Sequence, residues 1–175
     1  TFHNTFWSNT SSCNELNYST EFDPCLNIED ANQDTWHNIM NTNMMAPFFL
    51  SQSLATTLRK TSGCIINIVD IHAERPLKNH AIYNISKAGI AMMTKTLAKE
   101  LAPEIRVCGV SPGSILWPKD ESSLTDDQKN KMLNRIVLGK QGCATDIANT
   151  VLFLIKSSYI TGQIISVDGG RTLNQ

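Results

Sequence analysis

No apolar run in these 175 residues approaches the length of about eighteen needed to span a bilayer, so the sequence offers no membrane helix. Charge of one sign is also missing. Fifteen Lys and Arg face sixteen Asp and Glu, a formal net charge of -1, and the cations are scattered. A polyanion-binding stripe is therefore absent and nucleic acid is not an expected partner. The five cysteines, Cys13, Cys25, Cys64, Cys108 and Cys143, are odd in number and lack the close spacing of zinc ligands or redox dithiols. Free, mostly buried thiols are expected, which fits a reducing cytoplasm. Glycine is sparse as well. The nine glycines form no G-x-G-x-x-G turn between a strand and a helix, which excludes a phosphate cradle of that type within these residues.

What is present alternates between two periodicities. A short strand is expected at 5–8, then a polar stretch at 9–30 long enough to serve as a lid or substrate edge. Apolar residues at helical spacing predict a helix over 33–59, bent at Pro47, where an amide donor is lost. Residues 63–69 are almost continuously apolar, as in a parallel strand covered on both faces. A helix follows over 79–102, a strand ends at Ser111, and a short helix covers 125–136. Another helix, with Thr145 as its N-cap and Asp146 in its first turn, runs to Lys156. A last strand occupies 163–167. Strand and helix alternate throughout, so the class is α/β with a parallel sheet and flanking helices, without repeats or a dividing linker.

Tyr83 and Lys87 are four residues apart within Ile82-Tyr83-Asn84-Ile85-Ser86-Lys87, and helix positions four apart share a face. Asp70 closes the 63–69 strand. A strand end can bring a third polar group beside phenol and ammonium. An ammonium near a phenol favours the phenolate, lowering a pKa of about 10 toward working pH. A proton donor tuned in this way suits reduction of a carbonyl or an imine.

These residues lie in a wider series. After Lys87 come the helix 88–102, the strand 105–110 followed by Ser111-Pro112-Gly113, and the terminal Tyr159-Ile160-Thr161-Gly162 and Val167-Asp168-Gly169-Gly170. In order and spacing the series resembles the short-chain dehydrogenase/reductase family. The resemblance implies a Rossmann-like fold of which residues 1–175 form a single C-terminal portion, lacking the first three strand-helix units. The chain alone is then expected not to bind a nicotinamide cofactor tightly. Within the family, Asp70 stands where serine is usual. With Ile66-Asn67-Ile68-Val69 before it and Leu101-Ala102-Pro103-Glu104-Ile105-Arg106-Val107 after the helix, it looks like the pteridine reductase branch, which includes dihydromonapterin reductases.

That resemblance implies an NADPH-dependent reductase of pterins or dihydrofolate, pairing as a homodimer or homotetramer through the two long helices. Asp70 and Tyr83 would deliver the proton and touch the substrate. Lys87 would hold the nicotinamide ribose and bias Tyr83, and Asn43 would support Lys87 through water. Asn9, Thr10 and Ser11 would contact the cofactor, and Pro112, Gly113 and Ser114 would border the nicotinamide. An aromatic residue that stacks on the pterin in that branch is replaced by Cys13, with Tyr18, Phe22 or Trp117 as the substitute and Trp117 preferred. Cys108 stands where the family often has asparagine. His72 and His80 are expected at the surface, since Tyr83 and Lys87 already supply the proton. Two alternatives remain: a reductase of 3-oxoacyl thioesters or small ketones, disfavoured by Asp70, and a noncatalytic assembly protein that keeps only the reductase helix surfaces.

Overall fold

The computed structural model describes residues 26–115 and 125–174, together with the backbone of Phe2–His3. Four parallel strands pair in sequence order: β1 (Phe2–His3), β2 (Cys64–Ile68), β3 (Arg106–Pro112) and β4 (Ile164–Val167). The expected strand at 5–8 lies outside the described residues. The other three expected strands are present, and α/β with a parallel sheet is the observed class.

Side-chain alternation divides the core into two layers. Ile65, Val69 and Val107 pack beneath α2 (Ala46–Lys60) and α3 (Ala81–Glu100), against Leu58, Ile90, Met93 and Leu97. Cys64, Ile66, Cys108 and Val110 point to the opposite face, where α5 (Ala144–Lys156) presents Ile147, Val151 and Leu154. Because both faces of β2 and β3 are covered, these strands are apolar along nearly their whole length. Cys64 and Cys108 are buried as small core residues. Burial pushes the Cys108 thiol pKa up, and its Sγ donates to the Ile160 carbonyl at 3.4 Å. Arg106 ties the sheet to α5 by donating to the carbonyls of Leu154, Ile155 and Ile160.

The long helix expected over 33–59 is divided. α1 (Gln33–Met40) passes through one π-helical stretch, Asn41–Met45, into α2. Pro47 lies near the start of α2, but the backbone stays helical from the π-helical stretch into α2, so the proline removes an amide from a continuous helix. The irregularity occupies the turn that precedes the proline, which the proline ring crowds. The short helix α4 (Asp126–Leu133) begins at Thr125 with a closed capping box to Gln128.

The cap of α5 differs from expectation. Cys143, not Thr145, is the N-cap. Asp146 at the third helical position accepts the Cys143 backbone N–H at 2.8 Å and its thiol at 3.2 Å. A carboxylate reaching back three residues closes the box without a hydroxyl at the cap, which leaves Cys143 exposed rather than buried. No helix among the described residues is long and apolar enough to cross a membrane.

Candidate active site

The carboxyl ends of β2 and β3 open on the same edge of the sheet, where ligands of open α/β folds enter. β2 runs out through Val69, whose N–H still bonds the Val110 carbonyl at 2.8 Å. The next residue, Asp70, turns the chain into a short 3-10 turn, Ile71–Ala73, and caps it by accepting the His72 N–H at Oδ1, 2.8 Å away. The cap fixes the carboxylate and leaves Oδ2 directed elsewhere.

α3 delivers the other groups. Its buried stripe includes Tyr83, Ser86, Lys87, Ile90, Thr94 and Leu97, a spacing of three and four that faces the sheet. Tyr83 and Lys87 lie on that stripe and are only 3% and 5% exposed. The Tyr83 hydroxyl donates to Asp70 Oδ2 at 2.8 Å. Lys87 Nζ lies 5.6 Å from the Tyr83 ring centroid, within cation–π range, and reaches the Val69 carbonyl at 3.4 Å. Desolvation lowers the Lys87 pKa, and the nearby Asp70 charge opposes the shift. The carboxyl, the phenol and the ammonium thus meet at one end of the sheet.

Asn43 sits in the π-helical stretch and donates to Ser86 Oγ at 2.9 Å. Ser86 in turn donates to the Tyr83 carbonyl at 2.7 Å. Asn43 therefore reaches the first turns of α3 through the residue before Lys87, a contact that sequence reasoning did not anticipate. Inserting one extra residue per turn rotates a side chain relative to a regular helix, and such insertions recur at functional sites.

Pro112 ends β3, paired with Val167. Gly113 follows at a close crossing with the next strand's exit, where an added Cβ would lie 2.6 Å from the Asp168 Cα. Only glycine fits there. Ser114 accepts a hydrogen bond from the Arg171 guanidinium, and its carbonyl accepts the Gly142 N–H at 3.1 Å. Arg171 was not singled out from the sequence, since it follows a Gly-Gly turn and has no motif of its own.

His80 departs from expectation. It is 5% exposed, with its Nδ1 at 2.8 Å from the Lys78 carbonyl and its ring edge-on to Tyr83 at 6.5 Å. A satisfied ring nitrogen lets the imidazole pack under the start of α3. His72 is half-buried and acts through its backbone on Asp70. Asn9, Thr10, Ser11, Tyr18, Phe22 and Trp117 lie outside the described residues, as do Cys13 and Cys25. No cluster of metal-ligating side chains occurs among the described residues.

Residues 22–172 match the family model described as enoyl-(acyl carrier protein) reductase. The chain is 42% identical over 142 residues to the 3-oxoacyl-(acyl-carrier-protein) reductase FabG of Staphylococcus epidermidis, covering 79% of this chain and 58% of that protein. It is 34% identical over 140 residues to the dihydromonapterin reductase of Enterobacter sp., covering 78% of this chain and 57% of that one. Among solved structures, an apo SCOR enzyme from Clostridium thermocellum superposes with a TM-score of 0.75 at 31% identity, over 84% of this chain and 57% of that one. The chain thus spans 58% of the length of the Staphylococcus relative.

Proposed function

The chain belongs to the short-chain dehydrogenase/reductase family, and on that premise we propose that it acts in the NADPH-dependent reduction of a dihydropterin or dihydrofolate, with Asp70, Tyr83 and Lys87 as the reacting set. The observation that carries the proposal is the 2.8 Å hydrogen bond from Tyr83 to Asp70 beside a buried ammonium.

The donor set fits a nicotinamide ribose. An ammonium carries three donors, and among the described residues Lys87 has one acceptor, the Val69 carbonyl at 3.4 Å. Burying a cation so thinly partnered is costly, and a ribose diol would supply the missing acceptors. Pro112, Gly113 and Ser114 would border the nicotinamide at the exit of β3. When bound, NADPH supplies the hydride.

The protein supplies the proton. The Tyr83 hydroxyl, which donates to Asp70 Oδ2 at 2.8 Å, is the group placed to give a proton to an arriving acceptor. In a dihydropterin that acceptor is the ring nitrogen next to the carbon that receives hydride. Tyr83 passes its proton to the nitrogen, directly or through Asp70, and hydride plus proton completes a two-electron reduction of the C=N bond. A serine at the Asp70 position could orient a ketone oxygen but is too weak an acid to relay a proton to nitrogen. Asn43 holds Ser86, and Ser86 holds the Tyr83 carbonyl, so the turn carrying the phenol is supported from the π-helical stretch.

A second reading is reduction of 3-oxoacyl thioesters, supported by the 42% identity to the Staphylococcus reductase. The test compares turnover of 7,8-dihydrobiopterin and acetoacetyl thioester by the full-length protein with NADPH. Faster dihydropterin turnover supports the first reading. Turnover of the thioester alone replaces it with the second, and turnover of neither removes both.

Pairing of two copies through α2 and α3 belongs to the same reading. A groove between the π-helical stretch and α3 is lined by Met44, Met45, Phe48, Met92 and Met93, with Met45 and Met92 exposed. Sedimentation of the protein against the Met92→Glu variant tests the pairing, with the variant expected as monomer.

A further inference from the structure

Arg171 takes no part in the proton transfer proposed for Asp70 and Tyr83, yet it follows β4 at the same edge of the sheet. The turn that carries it is tightly built. Asp168 accepts the Gly170 N–H at Oδ1 and the Thr172 N–H at Oδ2, at 2.9 and 2.7 Å. Gly169 and Gly170 take φ of 62° and 81°, a region that side chains avoid. The turn is moored on two sides. Leu138 N–H bonds the Gly169 carbonyl at 3.0 Å, and Asn174 donates to the Asn134 carbonyl at 2.9 Å. On the other side Arg75, in the segment that follows Asp70, donates to the Asn174 carbonyl at 2.8 Å. The backbone that carries Arg171 is therefore fixed by the fold.

Its guanidinium is poorly supplied. Arginine has five N–H donors and stays charged. Among the described residues its side chain makes one hydrogen bond, to Ser114 Oγ. Both oxygens of the nearest carboxylate in the turn, Asp168, already serve backbone N–H groups. Burial lowers the Arg171 pKa, Arg135 adds to the shift, and Asp70 and Asp168 oppose it. Asp70 is thus near enough for its charge to act on Arg171, but the two do not close into an ion pair among the described contacts. A half-buried cation beside the nicotinamide-bordering loop and near the proton-delivering carboxylate is left with donors to give.

We propose that Arg171 is a specificity-determining residue of this site, whose guanidinium takes a negatively polarised oxygen of the substrate, a ring carbonyl or a carboxylate, beside the Asp70–Tyr83 pair. The inference rests on the reductase reading above and adds the requirement for an acceptor oxygen. A dihydropterin offers its ring carbonyl, and dihydrofolate offers carboxylates as well. The same chemistry could come from the carboxamide or phosphates of the cofactor, so the test must separate the two sources.

The experiment uses the full-length protein and the Arg171→Met, Arg171→Lys and Ser114→Ala variants, with 7,8-dihydrobiopterin and NADPH. Losing a charged hydrogen bond to substrate is expected to raise KM for dihydrobiopterin roughly tenfold or more in Arg171→Met, with kcat within about threefold. Arg171→Lys recovers part of the loss, and the NADPH dissociation constant is unchanged. An unchanged KM overturns the proposal. So does a matching rise in the NADPH dissociation constant, which moves the residue to the cofactor, or an equal KM effect in Ser114→Ala, which makes the arginine a loop brace. Should the wild-type protein reduce neither dihydropterin nor thioester, the reductase reading falls, and calorimetric binding of dihydrobiopterin decides Arg171 separately. Binding weakened in Arg171→Met supports it; equal affinities or no binding overturn it.

Discussion

The Tyr83 hydroxyl donates to Oδ2 of Asp70 at 2.8 Å while Oδ1 of the same carboxylate accepts the His72 N–H at 2.8 Å. One oxygen belongs to the architecture and the other to the phenol. The division lets the carboxylate hold its turn while its second oxygen exchanges partners with the phenol and a ligand.

Removing the hydroxyl is therefore expected to affect chemistry far more than folding. In Tyr83→Phe the ring keeps its place on the buried stripe of α3, and Asp70, half-buried, finds water for Oδ2. Reduction by the full-length protein is expected to fall by about two to four orders of magnitude, the usual contribution of a positioned proton donor. Stability should change by no more than about 1 kcal/mol, the net worth of one such hydrogen bond. Steady-state rates and urea unfolding on the same preparation check both halves.

Replacing Asp70 separates the two substrate readings. Serine can still cap the 3-10 turn, because a short hydroxyl is a good N-cap, so Asp70→Ser should fold. On the pterin reading it removes the carboxyl proposed to relay a proton to nitrogen. The ratio of kcat/KM for dihydrobiopterin to that for acetoacetyl thioester is expected to fall by roughly a hundredfold or more. An unchanged ratio would show that the carboxylate does not choose the substrate.

The parts of the site legible in the sequence were those set by local periodicity. Tyr83 and Lys87 are four apart on an apolar-periodic helix, and Asp70 ends an apolar strand, so their convergence follows from helix pitch and sheet burial. Asn43 was visible as a residue but not by its contact. The π-helical stretch that aims it at Ser86 forms where Met44 passes close to Gly89, at which an added Cβ would lie 2.7 Å from the Met44 sulfur. That contact joins residues 45 positions apart and leaves no trace in either segment's spacing. Cys143 as a cap was hidden because thiols rank low among capping residues, and Asp146 closed the box from inside the helix. Arg171 was hidden because its surroundings, Ser114, Asp70 and Asp168, come from three separate strand exits.

Behind the site, Asn67 on β2 donates to Thr94 Oγ1 on α3 at 2.9 Å, and Thr94 donates onward to the Ile90 carbonyl at 2.8 Å. Both side chains are sealed, at 1% and 0% exposure. Thr94→Val keeps the volume but leaves the Asn67 amide without its acceptor, at an expected cost of about 1–3 kcal/mol. In urea the midpoint should fall with an unchanged slope. The double variant Asn67→Val/Thr94→Val is expected to regain much of the loss, because no polar group is then stranded. A double variant as unstable as the sum of its singles would mean that the pair does not act as a unit.

Lys87 carries a stability cost that depends on pH. Desolvation sets its folded pKa below the ordinary value of 10.5, with Asp70 opposing. Between the folded value and 10.5 the unfolded chain holds more protons at this group than the folded one does, so the group's contribution to stability rises with pH across that window. Below the window the full cost of burying the ammonium is present. Lys87→Met, similar in length and uncharged, is therefore expected to abolish reduction yet unfold at higher urea than the wild type near pH 7. That advantage should shrink as pH climbs toward 10.5 and the wild-type amine sheds its proton. Urea midpoints of the two proteins at several pH values decide it: an advantage that stays constant with pH would place its origin in packing, and a less stable variant would mean that the Val69 carbonyl and Asp70 more than offset the desolvation of the ammonium.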